Sequence, residues 1–185
     1  MPKHAKLFSL AALLSTLLLA GCASSGSPTP TMDQPPADRT VLVTRHAEKA
    51  QYSADPSLSQ RGAQRAQALS LLPIAQGTET IITTQFKRTI ETAQPLAERL
   101  GVESRVVNAT ARPDALRALA DDIRAGAMKG TVLVVGHSNT VPMIITELGG
   151  PQDIFLSEED FGDLFILSLD ADGNFAGIER TRYGD

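Results

Sequence analysis

The sequence predicts an α/β protein, folded as a single three-layer α/β/α domain around a mainly parallel sheet. From residue 40 to residue 185, short β-branched apolar runs alternate with longer segments of helical periodicity. This alternation is typical of repeated βα units, whose helices cover both faces of the sheet. A hydrophobic content of 42% and a charged content of 21% are typical of a globular domain. The length suits one domain better than two.

In the first half of this domain, strand and helix signals follow each other twice. Residues 40–44 and 80–84 are apolar β-branched runs, which predict buried strands. Residues 59–72 between them have helical periodicity, and Ser59 is placed to cap the start of that helix. A second helix follows the second strand and is predicted to end at Gly101. Its expected apolar stripe consists of Phe86, Ile90, Ala93, Ala97 and Leu100.

The second half continues the alternation and then closes with two strands. Residues 102–107 and 131–135 are strand-like, and a helical pattern follows each of them. We expect these helices to begin at Pro113 and Pro142, because proline is favoured in the first turn of a helix. The two closing strands are predicted at residues 164–169 and 175–183.

The N-terminal residues carry a targeting signal and no core-forming pattern. Two lysines precede an uncharged apolar run at residues 7–20. This run is shorter than the roughly 20 residues of a membrane-spanning helix and therefore predicts a signal peptide. It ends in Leu19-Ala20-Gly21-Cys22, which resembles the bacterial lipobox and implies a lipid on the Cys22 thiol. We expect a signal peptide at 1–21, a lipidated Ser/Pro/Thr-rich tether at 22–39 and a folded domain at 40–185.

Charge and cysteine content narrow the classes of partner. The chain has 17 basic and 21 acidic residues, a net charge of −4. Loss of Lys3 and Lys6 with the signal peptide leaves 15 basic residues and a net charge of −6. A broad nucleic-acid surface needs clustered positive charge, so we expect no nucleic-acid partner. The single cysteine excludes a disulfide framework and a thiolate zinc site.

The residues suited to chemistry lie where predicted strands end. His46 and His137 each lie two residues beyond a strand, and Arg45 precedes His46. Arg88 lies in the first turn after the second strand. Ligands of open α/β sheets bind at the carboxyl ends of parallel strands, so we expect these four side chains to meet. Two guanidinium groups and two imidazoles suit a doubly charged tetrahedral anion, because guanidinium pairs with phosphate oxygens bidentately.

The segment after the fourth predicted strand adds to this anion site. Gly136 permits a close backbone approach beside His137. Pro142 at a first helical position would turn the preceding loop into a helix N-terminus with unpaired N–H groups. Ser138 and Asn139 lie in this loop and are candidate substrate contacts, although Asn139 is equally suited to cap the helix.

Four ordered motifs resemble the histidine phosphatase superfamily, whose members have the phosphoglycerate mutase-like fold. The segment RHAEK at 45–49 resembles its RHG or RHA signature. The segment LSQRG at 58–62, followed by Ala66, resembles its helix start L-[ST]-x-x-G-x-x-x-A. The segment TTQFKRTIETA at 83–93 resembles S-x-x-x-R-x-x-x-T-A, and Gly136-His137 resembles the second histidine. Together the motifs span most of the domain.

This resemblance implies a phosphohistidine mechanism without a metal ion or cofactor. His46 would be the nucleophile, and Arg45, Arg88 and His137 would form the phosphate pocket. The residue types suit these roles, because neighbouring guanidinium charges disfavour the protonated form of His46. The pocket would stabilise the charge on the equatorial oxygens during in-line transfer.

The chain also departs from the family pattern. Larger members carry an inserted acidic segment that protonates the leaving group, whereas residues 108–112 alone separate the third strand from its helix. Asp114 is the nearest carboxylate, either as a general acid or as a favourable charge at a helix start. Glu48 is either a substrate contact or a locally paired charge. The short build resembles the phosphohistidine-phosphatase branch, whose leaving group needs little protonation.

Three functions stay open at this point. The first is a lipid-anchored periplasmic phosphatase that hydrolyses phosphomonoesters or phosphoramidates of a small molecule or a phosphoprotein. The second is a phosphotransferase or mutase on the same fold, and the missing acidic segment counts against it. The third is a non-catalytic binder of a phosphorylated cell-envelope ligand. Ala23 follows Cys22 where inner-membrane lipoproteins tend to carry aspartate, so the outer membrane is the expected location.

Overall fold

The structure is a computed structural model, and it describes residues 39–50, 53–108, 113–128 and 130–184. Within these residues the chain forms six strands and four α-helices. In chain order they are β1 (Arg39–Arg45), α1 (Gln60–Leu71), β2 (Thr78–Thr84), α2 (Lys87–Leu100), β3 (Ser104–Val107), α3 (Pro113–Arg124), β4 (Thr131–Gly136), α4 (Thr140–Glu147), β5 (Asp163–Leu169) and β6 (Phe175–Arg182). Every strand and helix predicted from the sequence is present.

The first strand, β1, begins one residue before the strand predicted at residues 40–44. Arg39, which the sequence assigned to the tether, is the first residue of β1. Its guanidinium donates hydrogen bonds to the carbonyls of Ile123 and Arg124 at the end of α3. The predicted signal peptide, Cys22 and the rest of the tether lie outside the described residues. No helix in the described part of the chain combines the length and apolarity needed to cross a membrane.

The six strands form one sheet in the order β3-β2-β4-β1-β5-β6. β1 and β2 each pair parallel with β4, and β2 also pairs parallel with β3. β5 pairs antiparallel with both β1 and β6. The sheet is therefore mainly parallel, as predicted, with an antiparallel hairpin at one edge.

Helices cover both faces of the sheet and give the predicted three layers. Alternate residues of β1 point to opposite faces, so Val41 and Val43 pack in one core while Leu42 packs in the other. The first core includes Ile123 of α3 and Ile145 of α4. The second core includes residues of α1 and α2. The two helical layers thus sandwich the sheet.

The buried face of α2 differs from the predicted apolar stripe. Ile90, which was placed on that stripe, is 36% exposed. The buried residues of the helix are Thr89, Thr92, Ala93 and Leu96. Both threonines are fully buried, and their hydroxyls make hydrogen bonds near the ends of the strands. A pattern that counts apolar residues alone misses such a face.

The start of α4 also differs from the prediction. The helix begins at Thr140, so Pro142 is its third residue and not its first. The backbone N–H of Val141 already donates to the carbonyl of His137, at 3.0 Å. Asn139 holds the N-cap position but makes no capping hydrogen bond with its side chain. The predicted capping role of Asn139 is therefore not observed.

The start of α1 fixes the segment that follows β1. The Ser59 side chain accepts a hydrogen bond from the Gly62 N–H at 3.0 Å, so Ser59 caps the helix as predicted. A Cβ at Gly62 would overlap the backbone carbonyl of Glu48. The glycine therefore permits α1 to press against the chain just beyond His46.

Candidate active site

The register of β1 and β4 brings the two histidines side by side. Arg45 pairs with Gly136 across the parallel ladder, and the next residue of each strand is a histidine. The backbone N–H of His46 donates to the Gly136 carbonyl at 2.9 Å. The two imidazole rings then lie edge to face, with their centroids 5.2 Å apart. Adjacent parallel strands thus convert two distant sequence positions into one site.

The histidines lie in an open hollow of about 410 Å³ at the carboxyl edge of the sheet. The predicted nucleophile and the three residues predicted to form the phosphate pocket all line this hollow. The full lining consists of Arg45, His46, Lys49, Phe86, Arg88, His137, Ser138, Asn139, Thr140 and Glu158. The structure therefore brings together the four side chains that the sequence analysis singled out.

His46 is held as a neutral ring with one available nitrogen. Its Nδ1 lies 2.7 Å from the Ala47 carbonyl oxygen, which only accepts, so Nδ1 carries the proton. Nε2 is then the unprotonated nitrogen. Burial, together with the smaller effects of the neighbouring His137 and of the Arg45 and Arg88 charges, lowers the pKa of His46 to about 3. A neutral imidazole with a free Nε2 lone pair is the form required of a nucleophile.

A chain of hydroxyl groups fixes the tautomer of His137. Thr89 Oγ1 donates to a backbone carbonyl of the β2–α2 turn, so it accepts from Thr84 Oγ1 at 2.9 Å. Thr84 Oγ1 in turn accepts from His137 Nε2, also at 2.9 Å. Nε2 therefore carries the proton, and Nδ1 keeps its lone pair. Arg88 Nη2 donates to that Nδ1 at 3.4 Å.

The His137 ring is neutral in the unliganded site. Burial lowers its pKa to about 4, and the charges of Arg88 and Arg45 act in the same direction. A bound dianion beside Nδ1 would favour the protonated ring, because an opposite charge stabilises the charged form. His137 then becomes a donor to the anion that it faces.

Different contacts hold the side chains of the two arginines. Arg88 lies over the Phe86 ring at 4.4 Å, and its Nη1 is 3.9 Å from an Asp55 carboxylate oxygen. Arg45 is more deeply buried, and its Nη1 donates to the Ser157 carbonyl at 2.6 Å. The Arg45 guanidinium also lies 4.4 Å from the centre of the Phe161 ring.

Both arginines keep a donor that protein groups do not satisfy. Nε of Arg45 and Nε of Arg88 are buried and lack a hydrogen-bond partner in the described part of the chain. A buried unpaired donor is costly, so each arginine keeps hydrogen-bonding capacity that the described protein groups leave unused. Tetrahedral oxyanions match such donors better than planar or apolar ligands do.

Glu48 does not line the hollow. Its carboxylate accepts from Arg65 Nη2 at 2.9 Å and pairs with Arg61 at 3.1 Å. Its backbone carbonyl accepts from the Ser59 N–H at 2.8 Å. These contacts fasten the segment after His46 to α1. Of the two roles that the sequence left open for Glu48, the structure supports local pairing and not substrate contact.

The other candidate contacts fall into two groups. Ser138 and Asn139 line the hollow, in keeping with a role in substrate binding. Asp114 lies exposed in the first turn of α3 and does not line the hollow. The structure therefore supports its role as a favourable helix-start charge over that of general acid. Residues 109–112 lie outside the described residues.

Sequence reasoning missed Glu158. It lines the hollow, pairs with Arg45 at 3.0 Å and accepts from Ser138 Oγ at 2.7 Å. It lies in an aperiodic segment between α4 and β5, where local pattern carries no functional signal. The sequence predicts Thr84 as a sheet residue whose hydroxyl is within reach of the pocket, and the structure places that hydroxyl against His137.

The described residues contain no group of three His, Cys, Asp or Glu side chains arranged to hold a metal ion. Metal-independent chemistry stays a prediction. Apart from the Glu158 carboxylate, the polar side chains that line the hollow are cationic or neutral, which suits an anion.

Comparison with known proteins gives a family and a fold. The family model of the histidine phosphatase superfamily (branch 1) matches residues 41–111. A search of curated proteins by sequence gives no match. The matched residues include the nucleophile motif, the α1 start and the arginine motif.

Solved structures share the fold at low sequence identity. The protein histidine phosphatase SixA complexed with tungstate has a TM-score of 0.62 and 18% identity, covering 77% of this chain and 96% of that one. The α-ribazole phosphatase from Shigella flexneri has a TM-score of 0.60 and 13% identity, covering 79% and 96%.

A mycobacterial glucosyl-3-phosphoglycerate phosphatase with inorganic phosphate has a TM-score of 0.59 and 15% identity, covering 80% of this chain and 97% of that one. These structures are matched over nearly their whole length. The family model and the paired histidines agree with the shared fold: residues 41–111 match the histidine phosphatase superfamily, and the domain has the fold of these phosphatase structures.

Proposed function

We propose that this protein is a metal-independent phosphatase that hydrolyses phosphomonoesters or phosphoramidates through a phosphohistidine on His46. The observation that carries the proposal is the neutral His46 ring, whose free Nε2 belongs to the same hollow as the guanidinium groups of Arg45 and Arg88. A nucleophile and an anion site within one hollow are the parts that phosphoryl transfer requires.

The first half-reaction transfers the phosphoryl group to the enzyme. The Nε2 lone pair of His46 attacks phosphorus, and the bond from phosphorus to the leaving oxygen or nitrogen breaks. The bonding electrons go to the leaving group, which takes a proton from solvent or leaves already protonated. Arg45, Arg88 and His137 stabilise the charge on the phosphoryl oxygens.

The second half-reaction uses water. A water oxygen attacks phosphorus, the bond from phosphorus to Nε2 breaks, and the electron pair returns to His46. The proton of that water goes to solvent or to the released phosphate. The net reaction consumes one water and yields inorganic phosphate and the free alcohol or amine.

The scarcity of acids around the hollow supports leaving groups that need little protonation. Glu158 is the carboxylate that lines the hollow in the described part of the chain. The hydrogen bond from Ser138 and the Arg45 charge lower the pKa of Glu158, so it is ionised near neutral pH. An ionised carboxylate does not donate a proton. Aryl phosphates and phosphoramidates therefore suit this site better than alkyl phosphates.

Two SixA structures among the matches are named as a protein histidine phosphatase and as a phosphohistidine phosphatase. Phosphohistidine is a phosphoramidate, so these names fall within the substrate class proposed for this protein. We extend the proposal to the cell envelope. The lipobox-like segment ending at Cys22 supports a lipid anchor, and Ala23 supports the outer membrane. The Ser/Pro/Thr-rich tether would then present the domain to periplasmic substrates.

The test is turnover of an aryl phosphate by the purified full-length protein in the presence of EDTA. We expect turnover that EDTA leaves unchanged, together with an acid-labile phosphoprotein. His46→Ala should lower the rate by at least ~10³-fold, because it removes the nucleophile. Circular dichroism of the variant controls for folding.

Three outcomes would contradict the proposal. Retained activity in His46→Ala would exclude this residue as the nucleophile. Loss of wild-type activity with EDTA would exclude the metal-independent mechanism. Wild-type binding of aryl phosphates without turnover would favour the non-catalytic binder, and phosphoryl transfer to an added alcohol in place of water would favour the phosphotransferase.

A further inference from the structure

Glu158 places a negative charge at the mouth of a hollow that is otherwise built for an anion. Its Oε2 pairs with Arg45 Nη2 at 3.0 Å, and its Oε1 accepts from Ser138 Oγ at 2.7 Å. The carboxylate thus occupies two donors that border the hollow. The geometry also separates the charges by depth, because the Arg45 side chain is 2% exposed and the Glu158 side chain is 74% exposed.

The loop that carries Glu158 is held in place by its own contacts. The Ser157 carbonyl accepts from Arg45 Nη1, and the Ser157 N–H donates to the Asp160 carboxylate, each at 2.6 Å. Phe161 packs under the Arg45 guanidinium. These contacts fix the backbone on both sides of Glu158, so its carboxylate stays beside the hollow even though it faces solvent.

The depth of the charged side chains determines which part of a bound substrate lies near Glu158. A phosphoryl group bound by the buried arginines must present its leaving group opposite His46 Nε2 for in-line transfer. The open side of the hollow is the mouth, where Glu158 and Lys49 lie. The leaving group therefore lies farther from the buried arginines and nearer to the charged residues at the mouth.

We propose that Glu158 is a specificity-determining residue that makes this site prefer phosphoryl substrates with a neutral or cationic leaving group over those carrying a second anion. This inference rests on the proposed function and adds the charge class of its substrate. A second anionic group near Glu158 meets a like charge, whereas a cationic group meets an opposite one. Lys49 also lines the hollow and contributes the opposite sign, and its charge lowers the pKa of Glu158.

The test compares three aryl phosphates whose phenols have similar acidity. They are phenyl phosphate, 4-(2-aminoethyl)phenyl phosphate and 4-(carboxymethyl)phenyl phosphate, which have a neutral, a cationic and an anionic leaving group. We measure kcat/KM for each with the full-length wild type, Glu158→Gln and Glu159→Gln. Glutamine keeps the size of the side chain and removes its charge.

We expect the wild type to prefer the cationic substrate over the anionic one. Glu158→Gln should shift that preference toward the anionic substrate by about 5- to 10-fold, the effect of reversing one leaving-group charge at roughly 7 Å in a solvent-exposed setting. The shift should shrink as salt is raised to 1 M, because exposed charges are screened. Glu159 is exposed and does not line the hollow, so Glu159→Gln should behave as the wild type.

The outcomes separate this inference from the proposed function. An unchanged preference in Glu158→Gln, with normal turnover, overturns the role of Glu158 and leaves the phosphatase intact. An equal shift in Glu159→Gln also overturns it, because the effect would then come from net charge alone. Should the wild type turn over none of the substrates, the same preference is measured as calorimetric binding of the three compounds, and the same criteria apply.

Discussion

The two walls of the anion hollow are held by different kinds of interaction. The strand-end wall, which consists of His46, Arg88 and His137, is fixed by strand register and by buried hydrogen bonds. The loop wall, residues 157–161, is held by side chains, chiefly that of Arg45, and by hydrogen bonds within the loop. The difference suggests a division of labour: the rigid wall holds the reacting atoms, and the loop wall adjusts which substrates reach them.

Arg45 is the connection between the walls. Its backbone belongs to β1, while its guanidinium contacts Ser157, Glu158 and Phe161. Arg88 makes no such contacts with the loop wall in the described residues and lies against Phe86 and His137 instead. Substitutions at the two arginines should therefore differ in kind as well as in size.

The largest effect in this comparison is expected from Arg88→Lys. Lysine keeps the charge and loses the planar set of N–H donors, so kcat/KM should fall by ~10²-fold with little change in stability. Arg45→Lys should lower kcat/KM and also the melting temperature, because it releases the loop wall. The measurements are steady-state kinetics and thermal unfolding, and equal losses of stability in both variants would contradict the division between the walls.

The next effect concerns the hydroxyl that holds His137. Thr84→Val removes the acceptor of the Nε2 proton and keeps the shape of the side chain, so kcat should fall by ~10-fold with KM nearly unchanged. Thr83→Val is the matched control. The Thr83 hydroxyl is buried without a hydrogen-bond partner in the described residues, so its loss should be neutral or slightly stabilising.

Equal rates for the two threonine variants would show that Thr84 does not position His137. A rise in KM without a change in kcat would instead indicate a role in binding. Either result would weaken the view that the strand-end wall is rigid because of its buried hydrogen bonds.

The last effect is on stability in acid, and the pH range in which stability falls distinguishes the two walls. The pKa of His46 falls from 6.5 in the unfolded chain to about 3 in the fold, so the unfolded chain binds more protons between these values. Stability should therefore fall as the pH drops below 6.5, by up to about 1.4 kcal/mol per pH unit for each buried histidine. His46→Gln should roughly halve the slope between pH 6.5 and 5.

Glu158 serves as the contrast in this titration. Its pKa lies below 4.5, so its contribution to stability is present above that pH and is lost below it. The contribution should be small because the side chain is mostly exposed. Thermal unfolding of wild type, His46→Gln and Glu158→Gln across pH 4 to 7 checks both windows. A smaller slope above pH 5 in Glu158→Gln would contradict this assignment.

Prediction from sequence succeeded where the signal is local. Short β-branched runs marked the strands, and Ser59 and Gly101 marked helix ends, because capping and periodicity depend on neighbouring residues. It was less accurate at Ile90 and Pro142. In α2, threonines are buried where the apolar stripe was expected, and α4 begins two residues before Pro142. Both differences arise where the helices pack against the strand ends.

The sequence by itself determined the order of the elements and the positions of Arg45, His46, Arg88 and His137 at strand ends. These features are predictable because the signals for strands and helices depend on residues that are close together in the chain. The tertiary structure alone decided that β1 lies beside β4, that Glu48 pairs with Arg65, and that Glu158 reaches the hollow. These depend on contacts between segments far apart in the chain, and pairing of that kind leaves no local pattern to read.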